Sequence, residues 1–489
     1  MRTPSGVRSA APVLAALVVL LTIAACRTGG ADEPGAGSGD EPLQAQVEIT
    51  ADSVFVTCGT AQVAIHRGAP IPNQPLFPNG SFDDIDGLQC DFDAFSWNSF
   101  IALNLGGEGG APVWESWPES SDIFLPAGAS IPVWNAGDPP PPHQIPDICP
   151  TEGGRMRVFQ QLAKRPDALE ESTEPFLSGP LIDANGWYSR FAIYVNQEMY
   201  SYIQSNDLYS RAGQATFTAA HTTNFPCGCN GSAHSDSTGA CPRSGIGGAM
   251  MLKTAWKVLT PEDDSTRFHT MRALVYTPAS DGQPATCNAR TMGLVGFHIG
   301  HKTQESPQWV WSTFEQVDNV PTQNEPVDPS RRYSYYNRDC PDCQVNVPPP
   351  QPWNPHAEPV AANLRSQVMR VIPITAATLQ MTQQVQPLLA GTVWTNYQLV
   401  STQWPTNANG NNPNVTPASA GTNWCTPLNP VDNAGAPAPS FLGNTTLETY
   451  IQGRVPQASS SCINCHLNAA TAVGTNSFSD FTYLLERAQ

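Results

Sequence analysis

Two hydrophobic periodicities alternate along the chain. Val47 to Val56, Met250 to Leu259, Arg272 to Tyr276 and Met292 to Ile299 carry the β-branched, apolar pattern of strands, and Gln308 to Phe314 and Thr392 to Thr402 add aromatic strand candidates. Leu294, Val295, Phe297 and Ile299 predict that this strand is buried. Helical spacing is rarer. Asp91 stands where it could cap a segment carrying Phe92, Phe95, Trp97, Phe100, Ile101 and Leu103, and Arg190 to Ile203 fits the helical and strand templates equally. Near the end, Thr445-Thr446-Leu447-Glu448 reads as a capping box opening a two-turn helix that Gly453 stops. Ser479 then caps a last helix with Phe481, Leu484 and Leu485 at i, i+3 and i+4, and Phe478 stapled to Tyr483.

Between these segments lie polyproline-like connectors, Asp138 to Pro146 and Pro348 to Pro355, and a stretch from Pro405 to Ser440 rich in Asn, Pro, Gly and Ala. No internal repeat is present. The prediction is an α+β fold: an antiparallel, β-rich body with few helices over residues 45–403, a loop or linker over 404–440, and a short helical C-terminal segment over 441–489. Composition supports this, because 47 prolines and only 13% charged residues do not make a helical bundle.

The first 44 residues follow a different pattern. Arg2 and Arg8 precede an apolar run from Ala11 to Ala25, which predicts a signal peptide. The run ends at Ile23-Ala24-Ala25-Cys26, which resembles a bacterial lipoprotein cleavage box, so residues 1–26 are predicted to end in a lipid-attachment site at Cys26. An ordinary signal peptide or an uncleaved anchor is the alternative. Residues 27–44 read as a flexible tether. No later run reaches the roughly 18 apolar residues of a membrane span. The expected location is the bacterial cell envelope, on the periplasmic or outer-membrane face, with the membrane reached through the lipid anchor only.

A net charge of −18 excludes nucleic acid as a main partner and suits a basic redox partner protein. Asp84-Ile85-Asp86-Gly87 echoes a calcium loop but reads as an acidic surface turn, and Ser244 to Gly248 lacks the context of a dinucleotide site.

The chemistry is concentrated at Cys462-Ile463-Asn464-Cys465-His466. Cys-x-x-Cys-His is the attachment pattern of one covalent haem c. On a helical turn the three side chains share a face, so Cys462 and Cys465 can form thioethers to the vinyl groups while His466 takes one axial position on iron. A disulfide between the two cysteines, or a dithiol redox pair, is the alternative. Setting aside Cys26, Cys462 and Cys465, the chain of 13 cysteines retains ten, enough for up to five disulfides in an oxidising compartment. Cys340-Pro341-Asp342-Cys343 with Cys227-Gly228-Cys229 offers the alternative of a four-thiolate zinc centre.

Only residues 467–489 follow His466, and none is Met or His, so a second axial ligand has to come from the body. Gly296-Phe297-His298-Ile299-Gly300-His301 places two imidazoles in an apolar, glycine-flanked run, and on a strand His298 and His301 face opposite sides. His298 or His301 is the candidate singled out, against the alternative of satisfied core histidines, and His66, His143, His221, His234, His269, His356 and the methionines between Met156 and Met381 are also available. Trp309 and Trp311, two apart, would share one strand face and could gate electrons if they lie near the haem.

The chain resembles exported monohaem c-type cytochromes with a large additional body, which implies haem binding and electron transfer. Ser479-Asp480-Phe481-Thr482-Tyr483 is also similar to the short tail of the β-rich hydroxylamine-oxidising cytochromes, whose haem is cross-linked to a lysine. That resemblance implies a counterpart among Lys253, Lys257 and Lys302 and does not select one. The four-helix cytochromes c prime also end soon after their motif, but their fold does not suit this proline-rich body. Three function classes follow. A filled sixth site makes an electron carrier, an open one makes an enzyme or sensor for peroxide, nitric oxide or hydroxylamine, and redox silence leaves a partner-binding lipoprotein with structural haem.

Overall fold

The computed structural model describes residues 49–50, 52–58, 61–73, 85–134, 146–150, 156–159, 179–228, 247–280, 282–303, 306, 308–406, 437–452 and 460–489. The predicted signal peptide, Cys26, the tether, Cys229, Cys241, Cys425, Gly453 and most of the 404–440 stretch lie outside the described residues. The chain divides into Met1–Ala45 and a unit running from Gln46 to Gln489, and everything below concerns the second.

The fold is mixed α/β, with sheets and few helices. It opens with a ribbon of β1 (Ile49–Thr50), β2 (Ser53–Cys58) and β3 (Ala61–His66). Where one strand was predicted from Val47 to Val56, the chain reverses between Thr50 and Ser53 and makes two. Helix α1 (Ile85–Leu105) and the single turn α2 (Ser120–Ile123) follow. Next come β4 (Arg157–Phe159), β5 (Arg190–Val195), α3 (Gln197–Ser205) and α4 (Arg211–Thr218). The ambiguous run Arg190 to Ile203 is thus a strand and then a helix, divided at Asn196, whose side chain accepts from the Met199 amide and caps α3.

The remaining strands build the main sheet: β6 (Met250–Val258), β7 (Thr270–Thr277), β8 (Thr286–His301), β9 (Val310–Gln316), then, after α5 (Ala376–Val385), β10 (Tyr397–Pro405) and β11 (Pro437–Ala438). Its order is β11-β10-β9-β8-β6-β5, with β7 on the first half of β8 and β4 parallel to β7. The other described pairings in this sheet are antiparallel. The chain ends in α6 (Cys462–His466), the hairpin β12 (Ala470–Thr471) and β13 (Gly474–Phe478), and a 3-10 turn over Tyr483–Arg487. No helix among the described residues is long and apolar enough to cross a membrane.

Register divides the sheet into two faces. Phe297, Ile299 and His301 of β8 pair with Phe314, Ser312 and Val310 of β9, and all turn toward α1. Phe100 stacks on Phe314 at 4.2 Å, Trp97 meets it edge-on at 5.0 Å, and Ser96 shares 2.6 Å hydrogen bonds with Ser312 and Thr402. Helix α1 also packs against the ribbon, where Asn98 donates to the Ala64 carbonyl and Cys90 is disulfide-bonded to Cys58. Packing from both sides explains why the helix starts at Ile85 and holds Asp91 inside it, buried, where a cap was expected.

The opposite face presents Gly296, His298 and Gly300 beside Glu315, Thr313 and Trp311, with Met251 and Lys253 of β6 next to them. Residues 442–452 and 460–485 lie across it. Asn444 donates to Thr313, the Thr445 amide and hydroxyl donate to Glu315, and His298 meets Glu448. These bonds take the groups that a capping box would use, so Thr445 to Glu448 forms turns where a helix was predicted. Gly296 is required here, because an added Cβ would stand 2.1 Å from Thr446 Oγ1.

The described disulfides are Cys58–Cys90, Cys149–Cys287 and Cys340–Cys343, and Cys227 is also disulfide-bonded. Cys340 and Cys343 bond to each other, which removes them from the zinc alternative.

Candidate functional site

Helix α6 is only five residues long, so it depends on its surroundings. Ser461 is its N-cap, accepting from the Asn464 amide at 3.3 Å. Gln403, projecting from β10, accepts from the Ile463 amide at 2.9 Å and the Ser461 hydroxyl at 3.2 Å, so the sheet itself satisfies the start of the helix. Ile463 is wholly buried among Met251, Trp309, Trp311, Phe481, Leu484 and Leu485. With Ile463 as the anchor, Cys462, Cys465 and His466 remain half-buried at the edge of the cluster.

The two cysteines carry thiols, whereas Cys58, Cys90, Cys149, Cys227, Cys287, Cys340 and Cys343 are in disulfides. They stand three residues apart on one turn and are not oxidised to one another. His466 Nδ1 lies 2.8 Å from the Phe481 carbonyl. A carbonyl only accepts, so Nδ1 donates the proton, and in the neutral ring Nε2 keeps the lone pair that a metal binds. The imidazole is further held by Trp311, with ring centroids 4.3 Å apart, and by Tyr483 at 5.3 Å. The Tyr483 hydroxyl donates back to the Cys465 carbonyl at 2.9 Å. These features fit a thioether-bound haem with one imidazole ligand: two thiols, an oriented ring nitrogen and an apolar wall.

The Phe481 carbonyl is aimed by an uncommon backbone. Asp480 and Phe481 have φ of 51° and 63°, the left-handed region that non-glycine residues rarely enter. The expected final helix is therefore interrupted, and the 3-10 turn starts at Tyr483, capped by Thr482. Asp480 accepts from Lys302 Nζ at 2.5 Å and from the Phe225 amide at 2.7 Å, and Lys302 also donates to Asn224 at 2.6 Å. Burial pushes the Asp480 carboxyl up and the Lys302 ammonium down, and each partner's charge opposes the other's shift.

Of the residues singled out for the distal side, both histidines have described contacts with groups other than His466. His298 shares the face but donates Nε2–H to Glu448 at 3.1 Å. His301 lies across the sheet, stacked on Phe95 at 5.5 Å, wholly buried, with its pKa lowered to about 3 by desolvation. Met251 is on the same face as Trp311, and its sulfur accepts from the Thr482 hydroxyl at 3.5 Å. Trp309 precedes β9 with φ of 69°, which breaks the strand alternation, yet its ring still lies 6.2 Å from that of Trp311. Among the three lysines, Lys257 pairs with Asp263 and Asp183, and Lys302 with Asp480, while Lys253 sits opposite His298 in the register.

Sequence reasoning missed Gln403, Lys302 as a structural partner, and the Phe481 carbonyl. Among the described residues no group of three or more His, Cys, Asp or Glu side chains is arranged to hold a bare metal ion. No protein-family model, curated protein or solved structure was found to match this chain.

Proposed function

We propose that this chain is an exported, lipid-anchored haem protein of the bacterial cell envelope. In this reading Cys462 and Cys465 would hold one haem c covalently, His466 would ligate its iron, and the protein would act in electron transfer to a redox partner. The observation that carries this reading is the joint state of the motif: two thiols in a chain of disulfides, beside an imidazole whose Nδ1–H is committed to the Phe481 carbonyl. Bound haem would supply one-electron exchange at iron. The chain's own contribution is to hold His466 in one tautomer and one orientation, to exclude water with Ile463, Phe481 and Leu484, and to keep Trp311 against the ligand ring.

A second reading, an enzyme or sensor with an open sixth site for a small ligand such as peroxide, nitric oxide or hydroxylamine, is favoured by one observation. Both suspected distal histidines are occupied elsewhere, His298 by Glu448 and His301 on the far face of the sheet.

The test is to purify residues 27–489 from cells that mature c-type cytochromes and record the ferrous spectrum with and without carbon monoxide. Haem that survives acid–acetone extraction, with low-spin bands unchanged by carbon monoxide, is the expected result for an electron carrier. Rapid formation of a carbonyl complex would transfer the proposal to the second reading. A chain that holds the same haem after both Cys462→Ala and Cys465→Ala would overturn the attachment.

A further inference from the structure

Asp480 and Phe481 are consecutive left-handed residues, and each is tied to a different side of the molecule. Phe481 offers its carbonyl to His466 Nδ1. Asp480 sends its carboxylate the other way, to Lys302 at the end of β8 and to the Phe225 amide. Left-handed backbone is unfavourable for residues other than glycine, so the surrounding structure has to over-determine it. Among the described residues the only charged partner of Asp480 is Lys302, and the side chains of both are essentially excluded from solvent, at 1% and 0% exposure.

A buried ion pair is a poor device for stability, because desolvation of the two charges consumes most of their attraction. Its best-attested use is to specify one geometry over others. Here the geometry in question is that of residues 480–481, since the Lys302 side chain is inaccessible to any substrate and Asn224 takes a further of its protons.

We infer that the buried Lys302–Asp480 pair is the positioning device of His466: by holding residues 480–481 left-handed, it fixes the carbonyl that accepts the Nδ1 proton. It thereby sets the tautomer, orientation and donor strength of the imidazole. This inference rests on the haem reading for its consequence at iron, and on the structure alone for its consequence at the imidazole. Lys302 and Asp480 are positioning residues, acting on the ring through the Phe481 carbonyl.

The test uses the full mature chain and two variants, Asp480→Asn and the double variant Lys302→Met with Asp480→Asn. Asparagine tolerates left-handed backbone, so both variants remove charge without adding a steric penalty, and the double variant leaves no buried lysine unpaired. The first readout needs no haem: exchange of the His466 Nδ1 proton with solvent, followed by NMR of histidine-labelled protein. Slow exchange in the parent and at least tenfold faster exchange in both variants is the expected result. The second readout is the midpoint potential of haem-loaded protein, which is expected to rise in both variants, because a less anchored Nδ1–H makes the imidazole a weaker donor and favours ferrous iron.

Unchanged exchange and unchanged potential in the double variant, with or without a lower thermal midpoint, would reduce the pair to a structural contact and overturn the inference. A parent chain that carries no haem would overturn the haem reading instead, and the exchange measurement would still decide the role of the pair.

Discussion

The indole of Trp311 lies 4.3 Å from the imidazole of His466, centroid to centroid, on the face of the sheet that carries Met251 and Gly300. A Cβ at Gly300 would stand 3.2 Å from two carbons of the flexible Met251 side chain and in ordinary contact, 3.5 Å, with the indole. Trp311 is therefore the surface on which the His466 ring rests. Trp311→Ala is expected to cost about 3–5 kcal/mol in urea unfolding, the range for large aromatic deletions in a core. Trp311→Phe should cost less than half as much. Equal stability of the alanine variant and the parent would show that the ring is a bystander.

Gln403 presents a separable case, because its side chain caps α6 from a neighbouring strand. Gln403→Leu leaves the Ile463 amide and the Ser461 hydroxyl without this acceptor, a loss of roughly 1–3 kcal/mol for buried donors. The thermal midpoint should fall, and the yield of haem-attached chain should fall with it. A lower midpoint with full attachment would mean that α6 forms without the strand's help.

The central strands were legible because β-branched and aromatic runs favour strands: β6, β7 and β9 lie within two residues of their predicted bounds, while β8 begins six residues before the predicted Met292, at Thr286. The division of Arg190 to Ile203 was also within reach, since Asn196 is a good cap and stands at the junction. Thr445 to Glu448 had a sound local signal that tertiary hydrogen bonds to Glu315 and His298 outcompeted. At the site, the motif itself was visible and its supports were not. The group that orients His466 is a backbone carbonyl, which has no signature in sequence, and Phe481 gives no hint of a left-handed conformation. The glycines flanking His298 carried no signal of their role in sequence: Gly296 makes room for Thr446, and Gly300 lies against Met251.

Gly296→Ala tests how tightly the C-terminal segment is seated. With a Cβ 2.1 Å from Thr446 Oγ1, either β8 or residues 444–448 must shift, and overpacking of this kind costs about 1–3 kcal/mol. Thr446→Ala alone loses the bond to Asn444 Oδ1 and is destabilising too. Combined, the two substitutions should cost less than the sum of the single ones, a coupling read from urea curves of the four proteins. Strict additivity would indicate that the segment lifts away from the strand without cost.

His301 gives the fold a defined acid sensitivity. Desolvation beneath α1 lowers its pKa from 6.5 to about 3, and its ring nitrogens have no hydrogen-bond partner among the described residues. Between these two values the unfolded chain binds a proton that the folded chain refuses. Stability therefore rises with pH across that window and is lost as pH falls, at about 1.4 kcal/mol per pH unit. Asp93 and Asp183, each raised to about 6 by burial, act in the opposite sense below that value, because there the folded chain holds the extra proton. A variant isolates the histidine from them. His301→Leu keeps an apolar group against Phe95 and removes the titration, so its stability relative to the parent should improve by roughly 3 kcal/mol between pH 7 and pH 4.5. The measurement is urea unfolding of both proteins at the two pH values. A stability difference that stays constant would mean that His301 takes up its proton as readily in the folded chain as in the unfolded one.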